Sequence, residues 1–465
     1  MHLNWKSVIL FATIFVFTSC RKSSNDLFIS NESVVINSEI SDQEIIRQNK
    51  WIYEQMNYLY FWCNDMPDSS NLNFNQSSQS FFNKLKSSKD RFSWIEPNLE
   101  YSGRISMFSN YGFEYQEYQT INGMCIYRVL LVLPYSPAKL AGIKRGDWFI
   151  FTQNLNKSKD QQIQLGKGEI RNEKFYIMES VNLYASQNSK FTTAVSLDTI
   201  FHLGTHRIGY LVYNEFEDYF GISENQFKIE LKNIFSRFKQ NNIDDFIIDL
   251  RYNPGGYVSI CQYLCSLILA DEYLGKISSY HQYNRKLSKE MSAKMGNEEE
   301  VLKFPSKVSV GGNNLGTGKI YALVSENTAS ASEYLINSLK PYIEVITIGT
   351  KTCGKGVGSQ TIKDNNYKWL IHPIMFRYYN SLHQTVPDSG IIPDIKADEK
   401  NIVTYYELGD TDEYLLNIAI SQIMGTRTKS ASMNVFKNKI FNSTGNTSIN
   451  SRHIKGLIQT MESKN

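Results

Sequence analysis

Residues 321–340 read YALVSENTASASEYLINSLK. The apolar run that ends at Val324 has the length of a short buried strand, and residues 325–328 form a polar turn. Small residues then lead into a helical pattern carried by Leu335, Ile336 and Leu339. This strand–turn–helix order puts Ser330 where a helix begins, beside unpaired backbone N–H groups and the positive end of the helix dipole. Ala329 and Ala331 leave room for a carbonyl to come close. Taken alone, a serine at such a position is an ordinary helix cap. Downstream, the stretch GTKTCGKGVGSQ (residues 349–360) sets Lys355 among glycines. A serine with a lysine as its base is one of the known nucleophile–base pairings, and the two motifs together mean more than either alone.

Four ordered motifs, TASASE (328–333), KTCGKG (351–356), DLRYNPGG (249–256) and SPAKLAGIKRGD (136–147), resemble those of the C-terminal processing peptidases, also called tail-specific serine proteases. The resemblance runs over roughly residues 40 to 400. It implies a serine endopeptidase that cuts polypeptides recognised near their C-termini, with Ser330 as nucleophile, Lys355 as general base and an acyl-enzyme intermediate. It implies neither metal nor cofactor. It also implies that SPAKLAGIKRGD belongs to a PDZ module, in which an extended peptide adds to a sheet edge and backbone N–H groups hold its terminal carboxylate. Tyr111, Gly112 and Phe113 are the candidate loop for that carboxylate.

The chemistry sets further expectations. The oxyanion formed from the attacked carbonyl needs two preset donors. The N–H of Ala331 is one, and Gly255 or Gly256 supplies the other, because glycine lets the backbone approach substrate closely. Lys355 acts as a base only when neutral, so a dry pocket must lower its pKa. In the family a glutamine four residues after the lysine often orients it. Here Ser359 holds that position and Gln360 follows, a one-residue shift that changes faces on a strand unless a bulge at Gly356 or Gly358 restores it. The third member is thus Ser359 or Gln360. Cys353 stands where an aromatic residue is common. These two departures motivate the alternative, a catalytically idle peptide-binding scaffold on a protease fold.

At 465 residues with 42% hydrophobic residues, the chain is long enough for several domains with real cores. Its 49 basic and 46 acidic residues nearly balance, so no nucleic-acid footprint appears. Lys6, the apolar run 8–17 and Thr18-Ser19-Cys20 resemble a bacterial lipoprotein signal, with lipidation at Cys20. That makes the lipid bilayer of the cell envelope a partner, with the protein anchored facing the periplasm or the cell surface. The other cysteines are widely spaced and suggest no disulfide framework, and no metal-ligand pattern occurs. Residues 349–355 fit seven positions of a phosphate-binding loop, but Gly356 stands where Ser or Thr should hold magnesium, which disfavours a nucleotide partner. The fold class expected is a multidomain α/β and α+β chain. Residues 1–20 are the signal peptide and 21–40 a tether. Residues 41–104 form a helical N-terminal cap, 105–198 a β-rich PDZ domain, and 199–424 an α/β protease domain with a mostly parallel sheet. Residues 425–465 are expected to be a loose tail.

Overall fold

The structure is a computed structural model that describes residues 42–97, 110–152, 162–171, 174–186, 194–216, 226–363, 369–426 and 441–451. The expected signal segment, tether and Cys20 lie outside the described residues. Among the described residues, no helix is long and apolar enough to cross a membrane.

The N-terminal region holds α1 (Asp42–Leu59), α2 (Ser78–Leu85) and β1 (Trp94–Pro97). Asp42 and Glu44 sit in the first turn of α1, where the helix dipole favours them. Ile52, Met56 and Tyr60 recur at helical spacing and bury against Phe81, Phe82 and Leu85. The same core takes in Val357, Ile371 and Ile374, so the helical cap is fused to the region that follows Lys355 in the chain. The sequence predicts a helical segment up to about Ile95; instead Trp94 to Pro97 are a strand, Trp94 lying opposite His372.

A β-rich module follows: β2 (Phe113–Thr120), β3 (Cys125–Val132), the short α3 (Pro137–Leu140), β4 (Trp148–Phe151), β5 (Gln162–Arg171) and β6 (Lys174–Tyr184). Consecutive strands pair antiparallel around Phe113, Tyr115, Tyr127, Val129, Phe149 and Leu165. Ser136 caps α3 by accepting from the Lys139 N–H, and Pro137 occupies the first helical position, where its missing N–H is harmless.

The remaining chain forms β7 (Val195–Leu203), β8 (His206–Tyr213), α4 (Gln226–Gln240), β9 (Asp245–Asp249), α5 (Val258–Ile268), β10 (Ile277–Tyr283), α6 (Arg285–Met295), β11 (Glu299–Lys303) and α7 (Lys307–Val310). Then come β12 (Lys319–Val324), α8 (Ala331–Leu339), β13 (Glu344–Gly349), β14 (Val357–Ser359), β15 (Ile362–Lys363), β16 (Trp369–His372), β17 (Ile374–Tyr379), β18 (Ile395–Lys396), α9 (Tyr414–Met424) and β19 (Phe441–Thr447). The central sheet has the order β18-β13-β12-β9-β8-β7. Its neighbours pair parallel except β7 with β8. Side chains alternate across it: Phe246, Ile248, Ala322 and Val324 face α4, α5 and α8, whereas Ile247, Tyr321 and Leu323 face α9. Both faces are therefore covered, as a parallel sheet with helical crossovers requires.

Two expectations fail. The boundary at 198/199 cuts through β7, which pairs along its length with β8 and belongs to the central sheet. The C-terminal segment is not a loose tail throughout, because β19 pairs antiparallel with β2. Its Ser, Thr and Asn composition hides this, since strand pairing uses the backbone and needs little from the side chains.

Candidate active site

β9 and β12 are adjacent parallel strands, so the loops leaving their C-terminal ends emerge side by side. These are residues 250–257, with the glycine turn, and 325–330, with Ser330. They are stitched together: Thr328 Oγ1 donates to Leu250 O at 2.8 Å, the Ala329 N–H to Asn253 O at 3.2 Å, and Ser332 Oγ to the same oxygen at 3.1 Å. Ser325 Oγ also donates to Arg251 O. Asn253 anchors the turn itself, since its side chain donates to Tyr213 O at 2.9 Å and accepts the Gly255 N–H at 2.9 Å.

Ser330 caps α8 with φ +58° and ψ −112°, a backbone region that L side chains avoid. Holding a non-glycine residue there costs on the order of 1–3 kcal/mol and requires support from around it. Glu333 gives that support. Its Oε2 accepts the Ser330 N–H at 3.0 Å and the Lys355 N–H at 2.8 Å. Its Oε1 accepts the Gly354 N–H at 2.8 Å and Thr352 Oγ1–H at 2.5 Å. One buried carboxylate thus ties the serine turn to the lysine loop. Burial raises the Glu333 pKa, against the four donors that favour its ionised form. From the other side, the Tyr378 hydroxyl lies 3.3 Å from both Ser330 O and Lys355 O and donates to them.

Ser330 and Lys355 are 0% and 2% exposed, and among the described residues neither Ser330 Oγ nor Lys355 Nζ has a hydrogen-bond partner. Lys355 Nζ lies 5.1 Å from the ring centre of Phe92 and 5.8 Å from that of Trp94. Asp90 shapes that aromatic cover by accepting the Phe92 and Ser93 N–H groups, each at 2.8 Å, while Tyr60 donates to its other oxygen. Burial lowers the Lys355 pKa to about 8, prevailing over Cys353, Asp90 and Glu333, which raise it. The neighbouring Cys353 thiol is pushed up to about 11, first by burial and then by Glu333, so it stays neutral.

The Cα of Gly255 lies against the serine. A Cβ added there would stand 2.7 Å from Ser330 Cβ and 2.9 Å from the Ala331 nitrogen, and φ is +109°. Ala331 is the first residue of α8, where an N–H has no partner within the helix. The third candidates divide. Ser359 is fully buried on β14, and a register shift falls between Gly358 and Ser359; Gln360 follows the strand and is half-buried. The chain after Lys355 enters β14 and not a helix, unlike a phosphate-binding loop. Tyr111 and Phe113 are buried in the core of the β-rich module, so only backbone could face a ligand there; Gly112 has φ +75° and its carbonyl accepts the Leu133 N–H.

Sequence reading missed several contributors. Glu333 stands at the capping-box spacing from Ser330, a signal present in the quoted stretch. Phe92, Trp94 and Tyr378 carry no such local signal, because their roles arise from packing between distant segments. The same holds for a buried ionic cluster behind the glycine turn. In it Arg251 pairs with Asp249, Glu399 and Glu413, and Arg145 of the β-rich module with Glu399 and Glu413.

Comparison with known proteins gives the family. The profile of peptidase family S41 matches residues 207–397, and that of the peptidase S41 N-terminal domain matches residues 47–94. The chain is similar to a carboxyl-terminal-processing protease of Picosynechococcus, 23% identical over 278 residues, which are 58% of this chain and 60% of that relative. It is also similar to a protein of Staphylococcus epidermidis named as a CtpA-like serine protease, 22% identical over 423 residues, covering 88% and 77% of the two chains. A solved structure from Bacteroides fragilis, assigned to the S41 proteases, superposes with a TM-score of 0.69 at 26% identity, covering 81% of this chain and 97% of that one. The photosystem II D1 C-terminal processing protease shares the fold, with a TM-score of 0.50 at 16% identity over 83% and 99% of the chains.

Proposed function

Since the chain belongs to peptidase family S41, we propose that it is a serine endopeptidase working through a Ser330–Lys355 dyad. The observation that carries this reading is the pair of buried, unpartnered atoms, Ser330 Oγ and Lys355 Nζ, on two loops held by one carboxylate. A lysine with a pKa of about 8 is neutral often enough near neutral pH to serve as a base. It takes the proton of Ser330 Oγ as that oxygen bonds to the substrate carbonyl carbon. The oxyanion is held by the N–H of Ala331 and of Gly256, because the Gly255 N–H is engaged by Asn253. The lysinium then protonates the leaving amine as the C–N bond breaks. Water, deprotonated by the same lysine, releases the acyl group from Ser330.

The β-rich module reads as a PDZ domain that captures polypeptide segments for the cleft, and Ser359, buried on the strand after Lys355, is the better third member than Gln360. The lipoprotein-like leader supports attachment to the cell envelope through Cys20. The test is degradation of an unfolded polypeptide by protein lacking residues 1–20. Ser330→Ala and Lys355→Ala should each abolish cleavage, and turnover surviving in either rules out the dyad. Peptide binding without turnover in the unmutated protein identifies an idle scaffold instead.

A further inference from the structure

β2 is the outer strand of the β-rich module, and its free side is occupied by the distant segment that forms β19. Phe441 lies opposite Thr120, Ser443 opposite Tyr118 and Thr447 opposite Gln116, so the segment runs toward the start of β2 and the Tyr111-Gly112-Phe113 loop. Side chains supplement this strand addition. Ser448 Oγ accepts the Tyr115 N–H at 2.8 Å and donates to Glu114, and Gln116 Nε2 donates to Asn446 O at 2.8 Å. Thr447 Oγ1 donates at 3.1 Å to Asn327, in the turn before Ser330. Ile449 is fully buried among Leu130, Leu131, Leu133 and Tyr252, the last from the glycine turn. The sequence FNSTGNTSINS (441–451) has little β propensity of its own. It is held as a docked peptide is held, by edge hydrogen bonds and one apolar anchor.

We propose that residues 441–449 are a tethered occupant of the peptide edge along β2, displaced when a polypeptide substrate docks. That this edge takes substrate peptides rests on the PDZ and peptidase readings above; that residues 441–449 compete for it rests on the contacts just given. Because the occupant touches Asn327 and Tyr252, its departure alters contacts on both loops that flank Ser330.

The test is a titration of labelled FNSTGNTSINS peptide into the full chain carrying Ser330→Ala, with and without Ile449→Asp. A tethered competitor acts at an effective concentration on the order of millimolar, so the Ile449→Asp chain should bind the peptide at least ~10-fold more tightly. Ser448→Ala, which leaves the apolar anchor intact, should give a smaller gain of the same sign. The same peptide with Asp in place of the isoleucine should lose binding. Hydrogen exchange at the Tyr115 amide should quicken in the Ile449→Asp chain and slow again with peptide. Equal affinities in the two chains, or unchanged Tyr115 protection, overturn the proposal. Binding is read here without cleavage, so failure of the peptidase reading leaves this outcome separately visible.

Discussion

Glu333 Oε2 accepts the backbone N–H of Lys355 at 2.8 Å, and the N–H of Ser330 reaches the same oxygen. A side chain three residues beyond Ser330 therefore sets where the Lys355 loop begins. In Glu333→Gln, an amide NH₂ would face backbone donors. The expected loss is on the order of 2–4 kcal/mol of stability, because buried donors lose their acceptor. Misplacement of the dyad should lower kcat/KM about 100-fold. Urea unfolding and peptide kinetics read the two effects, and a fully stable, fully active variant contradicts the positioning role.

Lys355 should stand in the way of stability while enabling turnover. Its pKa falls from 10.5 in the unfolded chain to about 8 when folded, through burial. Between those values the unfolded chain binds more protons, so this group's contribution to stability rises with pH across that window; below about pH 8 the penalty is fully present. Its ceiling is about 3 kcal/mol. Lys355→Met should thus abolish cleavage and raise the melting temperature at neutral pH.

The same shift predicts a pH profile. The base must be neutral, so kcat/KM should climb with pH and level off above about 8. A profile flat from pH 6 to 9, with chemistry rate-limiting, argues against lysine as the base.

Gly255→Ala puts a methyl group 2.7 Å from Ser330 Cβ at φ +109°. The turn must shift, and with it the N–H groups proposed to hold the oxyanion. Loss of one such donor costs about 10²–10³ in kcat, and KM should change far less. An unchanged kcat would remove the glycine turn from the mechanism.

The ionic cluster behind that turn makes an acid-stability prediction. Burial pushes the Glu399 carboxyl up, but Arg145 and Arg251 prevail and hold it at about 2. Its stabilisation is present above about pH 4.5 and is lost as pH falls toward 2. Wild type should exceed Glu399→Gln in stability at pH 6, by about 3–5 kcal/mol if the guanidinium groups are left uncompensated. The gap should shrink on acidification; a constant gap means the carboxylate is not the stabilising partner.

Much of the catalytic region was legible in one dimension. Residues 320–324 and 246–248 read as buried strands because both faces of the sheet are covered and the runs are continuously apolar. Ser330 stood out because a strand, a turn and a helix leave local marks, and Lys355 because glycines surround it. The boundary near 198 is not legible in the sequence because β7 is polar on its partly exposed side and belongs to a hairpin, whose partner only the fold reveals.

By itself, the order of residues determined the buried strands and helices around Ser330 and Lys355, their alternation and the chemical types at the loops, since these follow from local propensity and periodicity. Tertiary structure alone decided that Phe92 and Trp94 cover the lysine, that Tyr378 spans two carbonyls, and that residues 441–449 lie along β2. Each of these joins segments far apart in the chain. Such contacts depend on burial and backbone pairing, which leave no periodic trace in the sequence.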